Sequence, residues 1–298
     1  MAVRDKSLIQ AVELWLPQGE VIAFGAGGYR GNDDLAAGSE GLRFHYGEGL
    51  PGSVWANGRA LLWKELKGPF LRSELAAEAG IDAALGFPLF DAERLIAVVT
   101  LLLSRRSEAP GCLEIWDVID DLDVLKLGAG YYLHCAELER ISPFIQFARG
   151  TGLPGLTWLG AGVEVMQDVR KSNAFIRAGL AASCGLQHGI GIPVYRGRKV
   201  VQVLALFGAE QHSFVTSAEL YRPQGSELGA SMLFDWSSSG SPRGQSSADA
   251  PRRREAEHAL VDRTPLLSQS RTALGREICL TLPIHDRKGL REILVLRF

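Results

Sequence analysis

The chain has 298 residues, of which 46% are hydrophobic, 22% charged and 8% aromatic, so it has a globular composition and length enough for about two ordinary cores. A formal net charge of -2 gives no global field to recruit nucleic acid or an anionic membrane. The longest apolar run, residues 95–103 interrupted only by Thr100, falls well short of the roughly 20 residues that span a bilayer.

The opening MAVRDKSLIQAVELW alternates charged and apolar residues without the apolar centre of a signal peptide, and predicts a cytoplasmic protein. Cys112, Cys135, Cys184 and Cys279 are scattered with no C-x-x-C pair, which argues against a zinc site or a disulfide framework.

Sliding the chain against itself organises the rest. Gly49-Leu50-Pro51-Gly52 recurs 103 residues later as Gly152-Leu153-Pro154-Gly155, and Trp55 recurs as Trp158. FLRSELAAEAGIDAALGFP from Phe70 matches FIRAGLAASCGLQHGIGIP from Phe175 without a gap, now at an offset of 105. Two extra residues therefore stand in the second copy, between Trp158 and Phe175. A third copy opens with AELYRPQGSE at Ala218 and closes with LGREICLTLPIHDRKGLREILVLRF from Leu274. It lacks the GLPG segment, and residues 237–258 read as a polar, disordered insertion. The expected units are 1–107, 108–210 and 211–298.

Within each unit the elements follow in the same order. Opening strands are predicted at 12–16, 113–118 and 218–222, followed by Pro17-Gln18-Gly19 and Pro223-Gln224-Gly225 turns. After the GLPG turn and a short helix, further helices over 71–79 and 176–184 stop at Gly80 and Gly185. Pro88, Pro193 and Pro283 each lead into a tight hairpin and a closing apolar strand. The class is α+β: tandem modules, each an antiparallel sheet with short helices on one face. The closing strands are apolar on consecutive residues, which predicts burial on both faces, Val98, Leu101, Val203 and Leu206 included. Two such sheets pair by this reading and a third is left over, pointing to a homo-oligomer or a protein partner.

The order strand, GLPG-x-x-W, R-x7-G, apolar-Pro and hairpin resembles the GAF family of sensory modules. The likeness runs through the first two copies and reaches only the ends of the third. GAF modules usually carry flanking helices over the back of the sheet, and residues 104–111 are too few and too polar to form one. The resemblance implies a pocket between the sheet and the GLPG segment. Its contacts would be Leu50, Trp55, Trp63 and Arg72 in the first unit, and Leu153, Trp158, Arg177, Cys184 and His188 in the second. An arginine at the same point of both units could hold a carboxylate or phosphate through both of its amino groups, or pin a neighbouring acid such as Glu65 or Asp168.

Other chemistry reads as structural. Cys135 follows His134, with no second thiol near it in sequence to resolve an oxidised sulfur; Cys184 replaces Ala79 of the first unit and is expected to be a small buried residue. Asp117, Asp120, Asp121 and Asp123 are expected to decorate a hairpin turn, lacking the glycine and terminal acid of a calcium loop. No G-x-S-x-G, H-E-x-x-H or phosphate-loop signature occurs, so neither an enzyme nor a cofactor is expected. The sequence thus points to a non-catalytic sensory or regulatory protein that binds a small molecule and signals through a partner protein. The alternative is a ligand-free assembly scaffold that uses its sheets as interfaces.

Overall fold

A computed structural model describes residues 7–172, 175–209, 215–225, 227–236, 250–272, 275–286 and 288–298. The first sheet is built by β1 (Ile9–Gln18), β2 (Val21–Tyr29), β3 (Arg43–His45), β4 (Leu61–Trp63), β5 (Ala83–Asp91) and β6 (Arg94–Leu103), in spatial order β3-β2-β1-β6-β5-β4. The second, from β7 (Gly111–Ile119), β8 (Val124–Leu133), β9 (Gln146–Ala148), β10 (Glu164–Met166), β11 (Leu186–Arg196) and β12 (Lys199–Ala209), repeats that order as β9-β8-β7-β12-β11-β10. The third has β13 (Ser217–Gln224), β14 (Glu227–Asp235), β15 (Leu266–Thr272), β16 (Gly275–Asp286) and β17 (Gly289–Arg297), ordered β14-β13-β17-β16-β15. All strand pairs are antiparallel, for example β1 with β6 and β7 with β12.

Short helices lie on one face of each sheet: α1 (Asp33–Ala37), α2 (Gly49–Asn57) and α3 (Ser73–Ala79), then α4 (Ala136–Ile141), α5 (Gly152–Gly160) and α6 (Ala178–Ser183). The GLPG segment is the first turn of α2 and of α5. Gly49 and Gly152 take φ of +54° and +64°, a region that side chains rarely enter. Gly52 and Gly155 have another task, because a Cβ there would run into the carbonyl oxygens of His45 and Ala148. Pro51 sits in the first turn, where an amide would lack an intrahelical partner anyway. Gly80, at φ +77°, caps α3 as the sequence predicts. Pro88 is tolerated in the middle of β5 because β4 pairs only with Ala84, Leu85 and Gly86, leaving the proline's outer side without a strand partner.

The apolar alternation of the closing strands resolves into two cores. Val98 and Leu102 face the helices of the first unit, while Val99 and Leu101 face the other sheets; all are buried. Val203 and Leu206 divide in the same way. The backs of all three sheets meet in one continuous core, where Leu101, Leu206 and Leu296 stand at equivalent points of β6, β12 and β17 around a cavity of about one water's size. The expectation of a left-over third sheet is therefore corrected: the twist of each sheet lets three close on one another, and none keeps a bare back. The argument for a homo-oligomer built on that sheet loses its basis.

A second correction concerns residues 237–258. Residues 237–249 lie outside the described residues, but α7 (Ala250–Asp262) occupies the remainder and packs on the helix face of the third sheet. Ala256 and Ala259, three residues apart and both fully buried, dock it on Tyr221, Ile293 and Val295. The apolar residues of α7 are few beside its run of charges, too few to mark a helix by composition. Among the described residues no helix is long and apolar enough to cross a membrane.

Candidate functional site

Each of the first two units buries a carboxylate in the middle of its opening strand. Glu13 of β1 stands opposite Thr100 of β6, on the face that α2 and α3 cover. Arg72, at the N-cap of α3, grips it through both amino groups, Nη1 to Oε1 at 2.5 Å and Nη2 to Oε2 at 3.1 Å. Tyr29 Oη donates to Oε1 at 2.7 Å, Ser39 Oγ at 3.3 Å, and Thr100 Oγ1 donates to Oε2 at 2.9 Å. Trp15 Nε1 donates in turn to Thr100 Oγ1 at 3.1 Å. Gly27 makes room for the tyrosine, since a Cβ there would collide with the Tyr29 ring.

The second unit rebuilds the arrangement. Arg177 donates from Nη1 and Nη2 to Glu114 Oε1 and Oε2 at 2.6 and 2.7 Å. Tyr132 and Ser142 donate to Oε1 at 2.9 and 3.1 Å. Ala205 stands opposite Glu114 where the first unit has Thr100, so Trp116 Nε1 reaches the carboxylate directly, at 2.9 Å. Rings of Trp116, Phe147, Phe175 and Phe207 surround the guanidinium at 5.4–5.6 Å. In the third unit Glu219 is buried at the corresponding point and accepts from Tyr221.

Charge balance fixes the protonation states. Burial alone would raise the carboxyls of Glu13 and Glu114. The facing arginine and the hydrogen bonds of Arg, Tyr and Thr or Trp overcome that penalty and hold both below the ordinary carboxylate range. Burial likewise opposes the charge on Arg72 and Arg177, and the paired carboxylate restores it. Burial, then the neighbouring carboxylate, pushes Tyr29 and Tyr132 upward, so both remain hydrogen-bond donors. The acids suggested by sequence are not the partners: Asp168 instead binds Arg170, which holds it down at about 2.

The remaining candidate residues divide between positions. Leu50 and Arg72 line a small cavity with Glu13, Phe44, Phe70 and Leu102, with room for about one water. Trp55 lies half-buried on α2, edge-on to Tyr46, and Trp63 half-buried on β4; neither lines that cavity. Leu153 and Trp158 are buried on α5, with the Arg149 guanidinium 3.9 Å from the Trp158 ring centre. Cys184 is the C-cap of α6. His188 belongs elsewhere: it lies on the back of the sheet with Ile190, Ile192 and Val194, stacked on Trp236 of the third unit at 4.2 Å. Burial depresses its imidazole to about 3. Of the four aspartates, Asp120, Asp121 and Asp123 do decorate the turn after β7, but Asp117 accepts from Gln202 at 2.7 Å and from Arg59 at 3.3 Å. No cluster among the described residues is suited to a metal ion.

Sequence reading missed the two carboxylates and their hydroxyl partners. The signal was present as a lone glutamate inside each apolar opener, VELW, LEIW and AELY, and as the paired GAGGY and GAGYY of β2 and β8.

No family model and no curated relative matches the chain. Similar solved structures include a GAF domain from A. aeolicus in an inactive state, 14% identical over 32% of this chain and 58% of that one, with a TM-score of 0.27. Another is the GAF domain of an Acinetobacter phosphoenolpyruvate-protein phosphotransferase, at 20% identity, 32% and 52% coverage and a TM-score of 0.26. A third is a free methionine-R-sulfoxide reductase from Neisseria meningitidis in complex with its substrate, at 18% identity, 32% and 52% coverage and a TM-score of 0.24. The chain thus spans less than two thirds of the length of each. Each unit is an antiparallel sheet with short helices on one face, the α+β class that the sequence predicts. The expectation that the chain is not an enzyme is corrected, because proteins similar to it include a reductase.

Proposed function

We propose that this chain is a regulatory or assembly scaffold of three GAF-like modules, 1–107, 108–210 and 211–298, that acts by engaging a partner protein. The observation that carries the reading is the Arg177–Glu114 pair. The position where the GAF resemblance implies a ligand is filled by a carboxylate of the chain itself, with four side-chain donors on it and four aromatic rings around its arginine. Exposed apolar residues supply the contact surface: Leu71 and Ile176, at equivalent points before the two arginines, are 61% and 55% exposed. Native mass spectrometry of the purified chain tests the proposal. The expected species is the bare 32.3 kDa chain or a multiple of it. A partner protein held by the wild type should be lost in a Leu71→Asp/Ile176→Asp variant of unchanged Tm. A stoichiometric small molecule that stays with the second unit would overturn the reading.

The small-molecule sensor is kept as a second reading for the first unit alone. Its support is the cavity beside Arg72, where Leu102 stands in place of the Phe207 ring that closes the second unit. A Leu102→Phe variant should abolish any binding there and leave the second unit untouched.

A further inference from the structure

The first two units give the same tryptophan, Trp55 on α2 and Trp158 on α5, different neighbours. In the second unit the Arg149 guanidinium lies 3.9 Å from the Trp158 ring centre, and its Nε donates to Asp123 Oδ1 at 3.0 Å. An arginine of the chain itself thus stacks on the ring, anchored by an acid from the turn before β8, and Trp158 is 3% exposed. Strand register arranges this. Val124 pairs with Ala148, so the next residues outward, Asp123 and Arg149, stand opposite each other at the end of the β8–β9 ladder.

The first unit keeps all of this except the cation. Val21 pairs with His45, which places Glu20 opposite Tyr46 at the end of the β2–β3 ladder. Glu20 takes the place of Asp123, and Tyr46 that of Arg149. Tyr46 is 63% exposed; its hydroxyl donates to the Ala56 carbonyl at 3.1 Å, and its ring stands edge-on to Trp55 at 5.2 Å and 79°. Two rings nearly at right angles make a corner. Trp55 is only half-buried there, and the exposed Glu20 makes no ion pair among the described residues. Aromatic faces attract a cation, and a guanidinium, being planar and weakly hydrated, stacks on them better than an ammonium does. A carboxylate beside the rings supplies its countercharge.

We propose that the Tyr46–Trp55 corner and Glu20 form a docking site for an arginine side chain of a partner protein. The partner supplies to the first unit the guanidinium that Arg149 supplies to the second from within the chain. This inference rests on the reading of the chain as a scaffold that engages a partner protein. The second unit offers no such site, because Arg149 already lies on Trp158.

Titration of the isotope-labelled full chain with the peptide acetyl-Gly-Arg-Gly-amide tests the site, read by NMR at the indole N–H signals of the six tryptophans. The Trp55 signal is assigned by its absence in Trp55→Phe. It should shift saturably while that of Trp158 stays in place. The same peptide with citrulline, neutral and of nearly the same shape, should give no shift, and the lysine peptide should bind more weakly. Glu20→Gln, a change at an exposed turn, should weaken binding roughly two- to fivefold. Tyr46→Arg, which installs the residue of the second unit, should fill the corner from within and abolish the shift. No saturable shift of Trp55, an equal response to the citrulline or lysine peptide, or undiminished affinity in Glu20→Gln would overturn the proposal. If Tyr46→Arg failed to fold, the peptide series and Glu20→Gln would decide by themselves. The titration contains no partner protein, so its failure leaves the Leu71 and Ile176 surface standing, and the failure of that surface leaves the titration unchanged.

Discussion

Gln202 of β12 reads the backbone of Ala60, in the first unit, as a paired strand would: its Oε1 accepts from the Ala60 amide at 2.7 Å and its Nε2 reaches the Ala60 carbonyl at 3.5 Å. The junction of the second and third units repeats this. Glu292 of β17 stands where Gln202 does in β12, and accepts from the Val163 amide at 2.8 Å. Between the third and first units, Gln269 bonds both the amide and the carbonyl of Tyr29. Three junctions thus each use one side chain to satisfy the backbone of the next unit. Gln202→Ala leaves the buried Ala60 amide without its acceptor and should cost about 1–3 kcal/mol, measured by urea denaturation. An unchanged midpoint would mean that the contact contributes nothing to joining the units.

Arg177 and Glu114 should behave as a coupled pair. Arg177→Met strips a fully buried carboxylate of its countercharge and should destabilise the chain by about 3–5 kcal/mol. Adding Glu114→Gln removes that charge while its amide oxygen still accepts from Tyr132, Ser142 or Trp116. The double variant should therefore be more stable than Arg177→Met alone. Additive losses in the double-mutant cycle would show that the two side chains act independently.

How much of this was legible in the sequence depends on whether the relevant pattern is local. The repeated GLPG, the Gly80 and Gly185 stops and the doubly apolar closing strands are local, and they yielded helices, caps and buried strands close to where they stand. Arg72 and Arg177 were picked out, but their partners lie 59 and 63 residues away on opening strands, out of reach of any spacing rule. His188 shares the back face of β11 with Ile190, Ile192 and Val194, away from the GLPG segment, and its partner Trp236 lies in another unit, out of reach of a local pattern. The closure of three sheets on one core is a tertiary fact that no stretch of the chain encodes by itself.

A single core behind three sheets predicts a single unfolding event. Leu206, buried among the three sheets, should cost about 2–5 kcal/mol when changed to alanine. Calorimetry of the wild type should give one transition with matching calorimetric and van't Hoff enthalpies, and Leu206→Ala should lower its midpoint without splitting it. Separate transitions for the units would show that the shared core does not couple them.

The stacked pair of His188 and Trp236 makes the junction of the second and third units sensitive to acid. Burial holds the His188 imidazole at about 3, against an ordinary 6.5. In the unfolded chain the ring takes a proton as soon as the pH falls below about 6.5, whereas in the folded chain it stays neutral. The unfolded state therefore binds more protons in this window, so stability is full above pH 6.5 and drains away as the pH falls toward 3. For one such group the loss between pH 7 and pH 5 is about 2 kcal/mol. His285, also buried and also depressed by desolvation, adds to the loss in the same direction. Glu13 and Glu114, held below the ordinary carboxylate range, add theirs only below about pH 4.3, and contributions that the wild type and a His188 variant share cancel in their comparison. Urea denaturation of wild type and His188→Leu at pH 7 and pH 5 measures the difference. The variant should lose about 2 kcal/mol less than the wild type over that interval, and equal losses in the two proteins would place the imidazole in contact with solvent.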